Sequence, residues 1–258
     1  MIEEIDNHII LDNLQTWPIE ILNILDSAKD DIEKFIIEER RIDKLGEEII
    51  EYRFDRPYND YSPKWDRTLE SVNSILEHQT IVGFHCTRLM DYEISDVLNN
   101  GLIPLNFEFA KKRINKLYDL NNISTELKNN LINKPELIDK SRVNRTFFFH
   151  CISTLKDKSG LSRLFKYWGG EAMYLCFENN TKLQEIGIPC IILASLKIKD
   201  FNQKILSLGE RMICIYLNDN YYSHDFDNWL LKDKIPVIKI IKRSDRLFNN
   251  LTNINKWN

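Results

Sequence analysis

An α+β fold around a split or mixed β-sheet, with peripheral helices and a helical N-terminal region, is predicted by three features of the sequence. Short runs rich in β-branched and aromatic residues recur after residue 80. Helical periodicities interrupt them, and the two patterns do not alternate strictly, which argues against a doubly wound parallel sheet. Before residue 80 the pattern is helical apart from one linker.

Taken in order, Leu14, Ile21, Leu22, Ile24, Leu25, Ile32, Phe35, Ile36, Ile42, Leu45 and Ile49 fall mostly at spacings of three and four among acids and bases, predicting a helical hairpin or a long broken helix over 13–52. Arg56-Pro57-Tyr58-Asn59-Asp60-Tyr61-Ser62-Pro63 reads as a linker, and 69–76 as a short helix. The domain boundary is expected there, giving a helical region over 1–78 and a second domain over 79–258. In that second domain strands are predicted at 81–84, 146–152, 172–177, 190–198, 212–217 and 237–241. Helices are predicted at 107–131, 183–186 and 226–231.

Composition narrows the class. A formal net charge of −4 and a pI near 5.8 give no overall basic field for non-specific nucleic-acid binding. No apolar run approaches the ~20 residues that a membrane-spanning helix needs, and Met1-Ile2-Glu3-Glu4 is unlike a signal-peptide start, so a cytoplasmic protein without a membrane partner is expected. Cys86, Cys151, Cys176, Cys190 and Cys214 each lie in an apolar stretch without Cys-x-x-Cys spacing and read as reduced core residues.

The most informative segment is Ile81-Val82-Gly83-Phe84-His85-Cys86-Thr87-Arg88-Leu89. A strand alternates its side chains, so His85 and Thr87 share one face. A short amphipathic helix then runs to Gly101, and Leu102-Ile103-Pro104-Leu105 re-enters extended chain. The segment has a later counterpart in Tyr167-Trp168-Gly169-Gly170-Glu171-Ala172-Met173-Tyr174.

Strand, His-x-Thr, short helix and Gly-Leu in that order resemble the opening of the ADP-ribosyltransferase superfamily. The chain is also similar, from about residue 80 onward, to a group of uncharacterised bacterial proteins sharing His-x-Thr-Arg-Leu and Trp-Gly-Gly-Glu segments. The resemblance implies an ADP-ribosyltransferase-like sheet and NAD as substrate, with His85 and Thr87 holding the ribose and nicotinamide amide. It further implies transfer of ADP-ribose to a protein or nucleic-acid acceptor. A role as bacterial toxin or anti-phage effector, with an antitoxin or regulatory partner, fits the same resemblance. NAD glycohydrolase activity at the same site, and a non-catalytic binding module on the same fold, are the alternatives.

Cleaving the nicotinamide–ribose bond passes through an oxocarbenium-like transition state, so a carboxylate is required. Two glutamates follow glycine and open predicted strands: Glu171 and Glu210. Strand order in the family favours Glu210, whereas the paired glycines and adjacent aromatic faces favour Glu171. Trp168 and Tyr167 read as a stacking surface for a base, with a core anchor as an equal reading of Trp168. Phe149, Tyr167 and Tyr174 are all candidates for the stacking aromatic of the nicotinamide pocket, and His150 reads as a hydrogen-bonded interior residue. Arg88 is a candidate pyrophosphate clamp, or else a surface ion-pair partner of Asp91 or Glu93. Lys111, Lys112, Arg113 and Lys116 form a basic stripe expected to face solvent. The His85-Cys86 and His150-Cys151 pairs make poor zinc or nucleophile sites, since strand neighbours point to opposite faces.

Overall fold

The computed structural model describes residues 5, 7–134, 143–170, 177, 180–201, 206–223 and 227–254. Residues 7–81 with 197–226 form one compact unit, and 82–196 with 227–258 form another. The units therefore interleave in sequence instead of meeting at a single boundary near residue 78. The fold is α+β. Among the described residues no helix is long and apolar enough to cross a membrane.

The helical unit is built on α1 (Ile19–Glu48), which buries Ile21, Leu25, Ile32, Phe35, Ile36 and Ile42. It is one unbroken helix: no glycine or proline interrupts it before Gly46. Helix α2 (Ser62–Leu76) packs on α1, with Trp65 stacked on Phe35 at 4.4 Å. The 54–61 connection is held by Asn59, whose Nδ2 donates to the Phe35 carbonyl at 3.0 Å, and by Arg56, paired with Glu39 at 2.6 Å and Asp43 at 2.7 Å.

The other unit carries most of a five-stranded sheet of order β4-β2-β1-β3-β5. Its strands are β1 (Thr80–Leu89), β2 (Thr146–Phe149), β3 (Ile188–Lys197), β4 (Asp227–Leu230) and β5 (Val237–Lys242). The β1–β2, β2–β4 and β3–β5 ladders are antiparallel. Around the sheet lie α3 (Asp91–Asn100), α4 (Phe107–Asp119), α5 (Thr125–Ile132), α6 (Lys158–Lys166) and α7 (Thr181–Glu185). Two further helices complete the chain: α8 (Leu206–Leu217), in the helical unit and packed on α2, and α9 (Arg246–Thr252), packed on β5.

Several elements differ from the sequence prediction, among them the single helix expected at 107–131, which is broken into α4 and α5. The expected strand at 212–217 is the second half of α8, with Met212, Ile213 and Cys214 all buried. A run apolar on every side suits a buried helix as well as a strand, and periodicity does not separate them. The expected helix at 226–231 is instead β4, in which Asn228 and Leu230 are buried and Asp227 is exposed; a polar residue in a buried position hides the alternation. Strand β2 ends at Phe149, where 150–152 had been expected to continue it, and the predicted strand at 172–177 falls almost wholly outside the described residues.

Gly83 lies where the sheet is tightest. A Cβ there would fall 2.5 Å from Leu196 Cδ1 and 2.7 Å from Phe148 Cδ1, both belonging to side chains packed against the sheet. Strand propensity favours valine at such a position, and packing forbids it. Gly83→Val is therefore expected to destabilise the fold by about 1–3 kcal/mol or more, read by chemical denaturation; a change within about 0.5 kcal/mol would contradict this packing.

Candidate functional site

Strand β1 sorts its side chains between two faces, and its register with β2 says which partners each face has. Phe84 lies opposite Phe149, so these share a face with Cys86 and Arg88. His85 and Thr87 occupy the other face with Phe148, whose ring meets the His85 ring edge-on at 5.9 Å. Phe149 thus stands on the face opposite the histidine it was expected to accompany.

His85 is held by one nitrogen. Its Nδ1 lies 2.9 Å from the Phe147 carbonyl, which only accepts, so Nδ1 carries the proton and Nε2 presents a lone pair. Nε2 has no partner among the described residues. Burial, and more weakly the nearby Arg113 charge, hold the imidazole below its ordinary value of 6.5, against the opposing pull of the Phe147 bond. Thr87 is buried, and its hydroxyl likewise lacks a partner among the described residues. A Cβ at Gly170 would stand 3.5 Å from Thr87 Oγ1. Gly169 and Gly170 adopt φ of +83° and +64°, a pair of left-handed residues that glycine accommodates freely. The main chain therefore passes beside the Thr87 hydroxyl immediately before Glu171, which lies outside the described residues.

Glu93 organises this face. Its carboxylate is buried and accepts three hydrogen bonds: Met90 N–H to Oε2 at 2.9 Å, Trp168 Nε1 to Oε2 at 2.9 Å and Arg113 Nε to Oε1 at 2.7 Å. The first caps α3, while the other two tie α4 and the Tyr167–Gly170 turn to it. The Arg113 guanidinium lies over the Trp168 ring, 4.6 Å from its centroid.

Several sequence expectations change on this geometry. Trp168 is fully buried with Arg113 against its ring, and Tyr167 is buried in the same cluster with Ile114, Leu131 and Leu183; neither presents a face to a base. Arg88 neither pairs with Asp91 or Glu93 nor shares the His85 face: its guanidinium donates to the Ile186 carbonyl at 2.6 Å and the Phe165 carbonyl at 3.3 Å. Arg113 leaves the solvated stripe, for Lys111, Lys112 and Lys116 are exposed and Arg113 is not. Glu210 does not head a strand but sits in α8 of the helical unit, half-buried, with burial raising its carboxyl above the ordinary range. Gly209 is explained by helix packing, since a Cβ there would fall 2.4 Å from Asn73 Oδ1 and 2.8 Å from Leu69 Cδ1.

His150 is an interior residue. Its Nδ1 lies 2.9 Å from the Val82 carbonyl and its Nε2 2.8 Å from the Asn228 side-chain amide. Burial lowers the imidazole from its ordinary value, against the opposing pull of the hydrogen bonds to Asn228 and Val82. The oxygen facing Nε2 is Asn228 Oδ1, while the Asn228 amide nitrogen is buried without a hydrogen-bond partner. Cys86 and Cys151 are buried thiols, and desolvation pushes the Cys86 thiol well above its ordinary range, which suits a core residue and not a nucleophile.

Family models, curated proteins and solved structures were each compared with the chain, and none matches.

Two outcomes test this geometry. Glu93→Ala strands a buried guanidinium, an indole N–H and a helix N-terminus together, so a loss of about 3–5 kcal/mol is expected, with Glu93→Gln/Arg113→Gln losing clearly less; equal losses would contradict the hub. His85 and His150 bind protons in the unfolded chain near 6.5 and in the folded chain only at lower pH. Their contribution is thus complete above that value and is lost as pH falls through the depressed folded values. The thermal midpoint should hold down to about pH 6.5 and then decline, whereas a midpoint rising on mild acidification would contradict it.

Proposed function

We propose that the chain is an NAD-dependent mono-ADP-ribosyltransferase acting on a macromolecular acceptor, its sheet a version of the ADP-ribosyltransferase sheet. One observation carries the reading: the His85 Nε2 lone pair and the Thr87 hydroxyl share one face without partners among the described residues, beside the paired glycines that precede Glu171. A lone pair on a ring fixed through its other nitrogen is suited to accept a ribose hydroxyl. A threonine hydroxyl can both donate and accept, as a carboxamide demands. Main chain without Cβ atoms lets a flat ligand lie close.

In this reading the glycosidic bond between ribose C1′ and nicotinamide breaks with its electron pair leaving on the nicotinamide nitrogen. A carboxylate stabilises the positive charge that develops on the ribose. The acceptor nucleophile then bonds to C1′ and gives up its proton. We assign the carboxylate to Glu171, the residue directly after Gly170. Glu93 has its oxygens committed to Arg113, Trp168 and Met90, and Glu210 belongs to a helix of the other unit.

The test is nicotinamide release and label transfer from NAD labelled on the adenylate phosphate, with and without cell lysate. His85→Ala and Glu171→Gln are expected to lower turnover by about 100-fold or more, and Glu210→Gln to leave it within about threefold. Release without transfer would indicate a glycohydrolase. Loss of turnover with Glu210→Gln alone would overturn the glutamate assignment, and no release under any condition would overturn the enzyme reading in favour of a binding module.

A further inference from the structure

The basic stripe on α4 contains one member that behaves unlike its neighbours. Arg113 is drawn inward and fixed twice, through Nε to Glu93 at 2.7 Å and through its face to the Trp168 ring, with the Phe109 ring centroid a further 5.9 Å contact. Its plane and direction are thereby set before anything binds, so little side-chain entropy is lost when it takes a ligand.

What remains of the guanidinium is unused. Nη2 is buried and has no hydrogen-bond partner, and Nη1 makes no hydrogen bond among the described residues. An arginine serving only as counter-charge to Glu93 would close the two-pronged fork on both carboxylate oxygens. Here Oε2 is occupied by the Trp168 indole and the Met90 amide, which leaves Nη2 buried and unpaired. Tyr92, next to Glu93 in α3, repeats the pattern: its hydroxyl is buried with no partner, within the electrostatic reach of Arg113. Two orphaned polar groups, a guanidinium N–H and a phenol, therefore lie in the surroundings of one carboxylate. The Arg113 charge also reaches His85.

We propose that Arg113, assisted by Tyr92, is the phosphate-binding residue of the site and takes oxygens of the ligand's pyrophosphate, the role expected of Arg88 from sequence. The inference rests on the reading of this face as a dinucleotide site. Arg113 supplies N–H donors to an oxyanion while Glu93 and Trp168 keep it in place; Tyr92 adds an O–H donor. Arg88, spent on backbone carbonyls and projecting from the other face of β1, serves to join the Phe165 and Ile186 segments.

Calorimetric titration with NAD, inorganic pyrophosphate and nicotinamide riboside, which lacks the pyrophosphate, tests the assignment. The proteins are wild type, Arg113→Lys, Tyr92→Phe and Glu93→Gln/Arg113→Gln, the lysine and the neutral pair being chosen so that Glu93 is not left as a lone buried charge. Affinity for NAD and pyrophosphate is expected to fall about tenfold or more in both Arg113 variants and less in Tyr92→Phe, with riboside affinity changing less than about threefold. Equal losses for riboside and NAD, or no loss at all, would overturn it. Wild type binding pyrophosphate but not NAD would sustain the phosphate site and remove the proposed function. NAD binding that ignores both Arg113 variants would do the reverse, and no binding of any of the three probes would remove both.

Discussion

The buried Glu93 carboxylate is the constraint on which the arrangement of this face depends. Removing a carboxylate from water is costly, and the chain offsets that cost with three donors from three different segments: the start of α3, the middle of α4 and the indole of Trp168. Each donor gains a fixed position in return. Trp168, once fixed, determines where the chain goes next, and the following residues are the paired left-handed glycines that bring the backbone beside Thr87. The turn beside Thr87 is thus set by a hydrogen bond made inside the core.

Strand β1 contributes the second constraint through its alternation. Its even-numbered residues Phe84, Cys86 and Arg88 belong to one face and its odd-numbered residues Gly83, His85 and Thr87 to the other. Gly83 admits Phe148 and Leu196 close to the strand, and the Phe148 ring then supports the edge of His85. The Phe147 carbonyl, from the neighbouring strand, selects the tautomer. The histidine is oriented by backbone and aromatic packing, with its second nitrogen unbonded among the described residues.

The sequence was informative where periodicity was long and where chemistry was local. The α1 and α4 periodicities, the β1 strand with His85 and Thr87 on one face, and β3 and β5 were legible because each has a length or composition that only one element suits. The exchange of strand for helix at 212–217 and of helix for strand at 226–231 was not legible, since short apolar runs take their structure from the surface that buries them. The stacking reading of Trp168, though not its core-anchor alternative, and both readings of Arg88 failed for a related reason: an aromatic beside glycines, or an arginine after a motif, does not reveal which face it occupies. Glu93 and Arg113 were overlooked as a pair because twenty residues separate them and each also suits a solvated helix. One signal was present, the acid in the first turn of α3, where a carboxylate meets unpaired backbone amides.

The most direct test of the account is nitrogen NMR of the protein with ¹⁵N-labelled histidine as NAD is added. The account predicts that His85 begins with Nδ1 protonated and Nε2 bare, and that on addition of NAD the Nε2 resonance moves saturably while Nδ1 keeps its proton and His150 is unmoved. A His85 signal indifferent to saturating NAD, or one that starts as the Nε2-protonated tautomer, would contradict it.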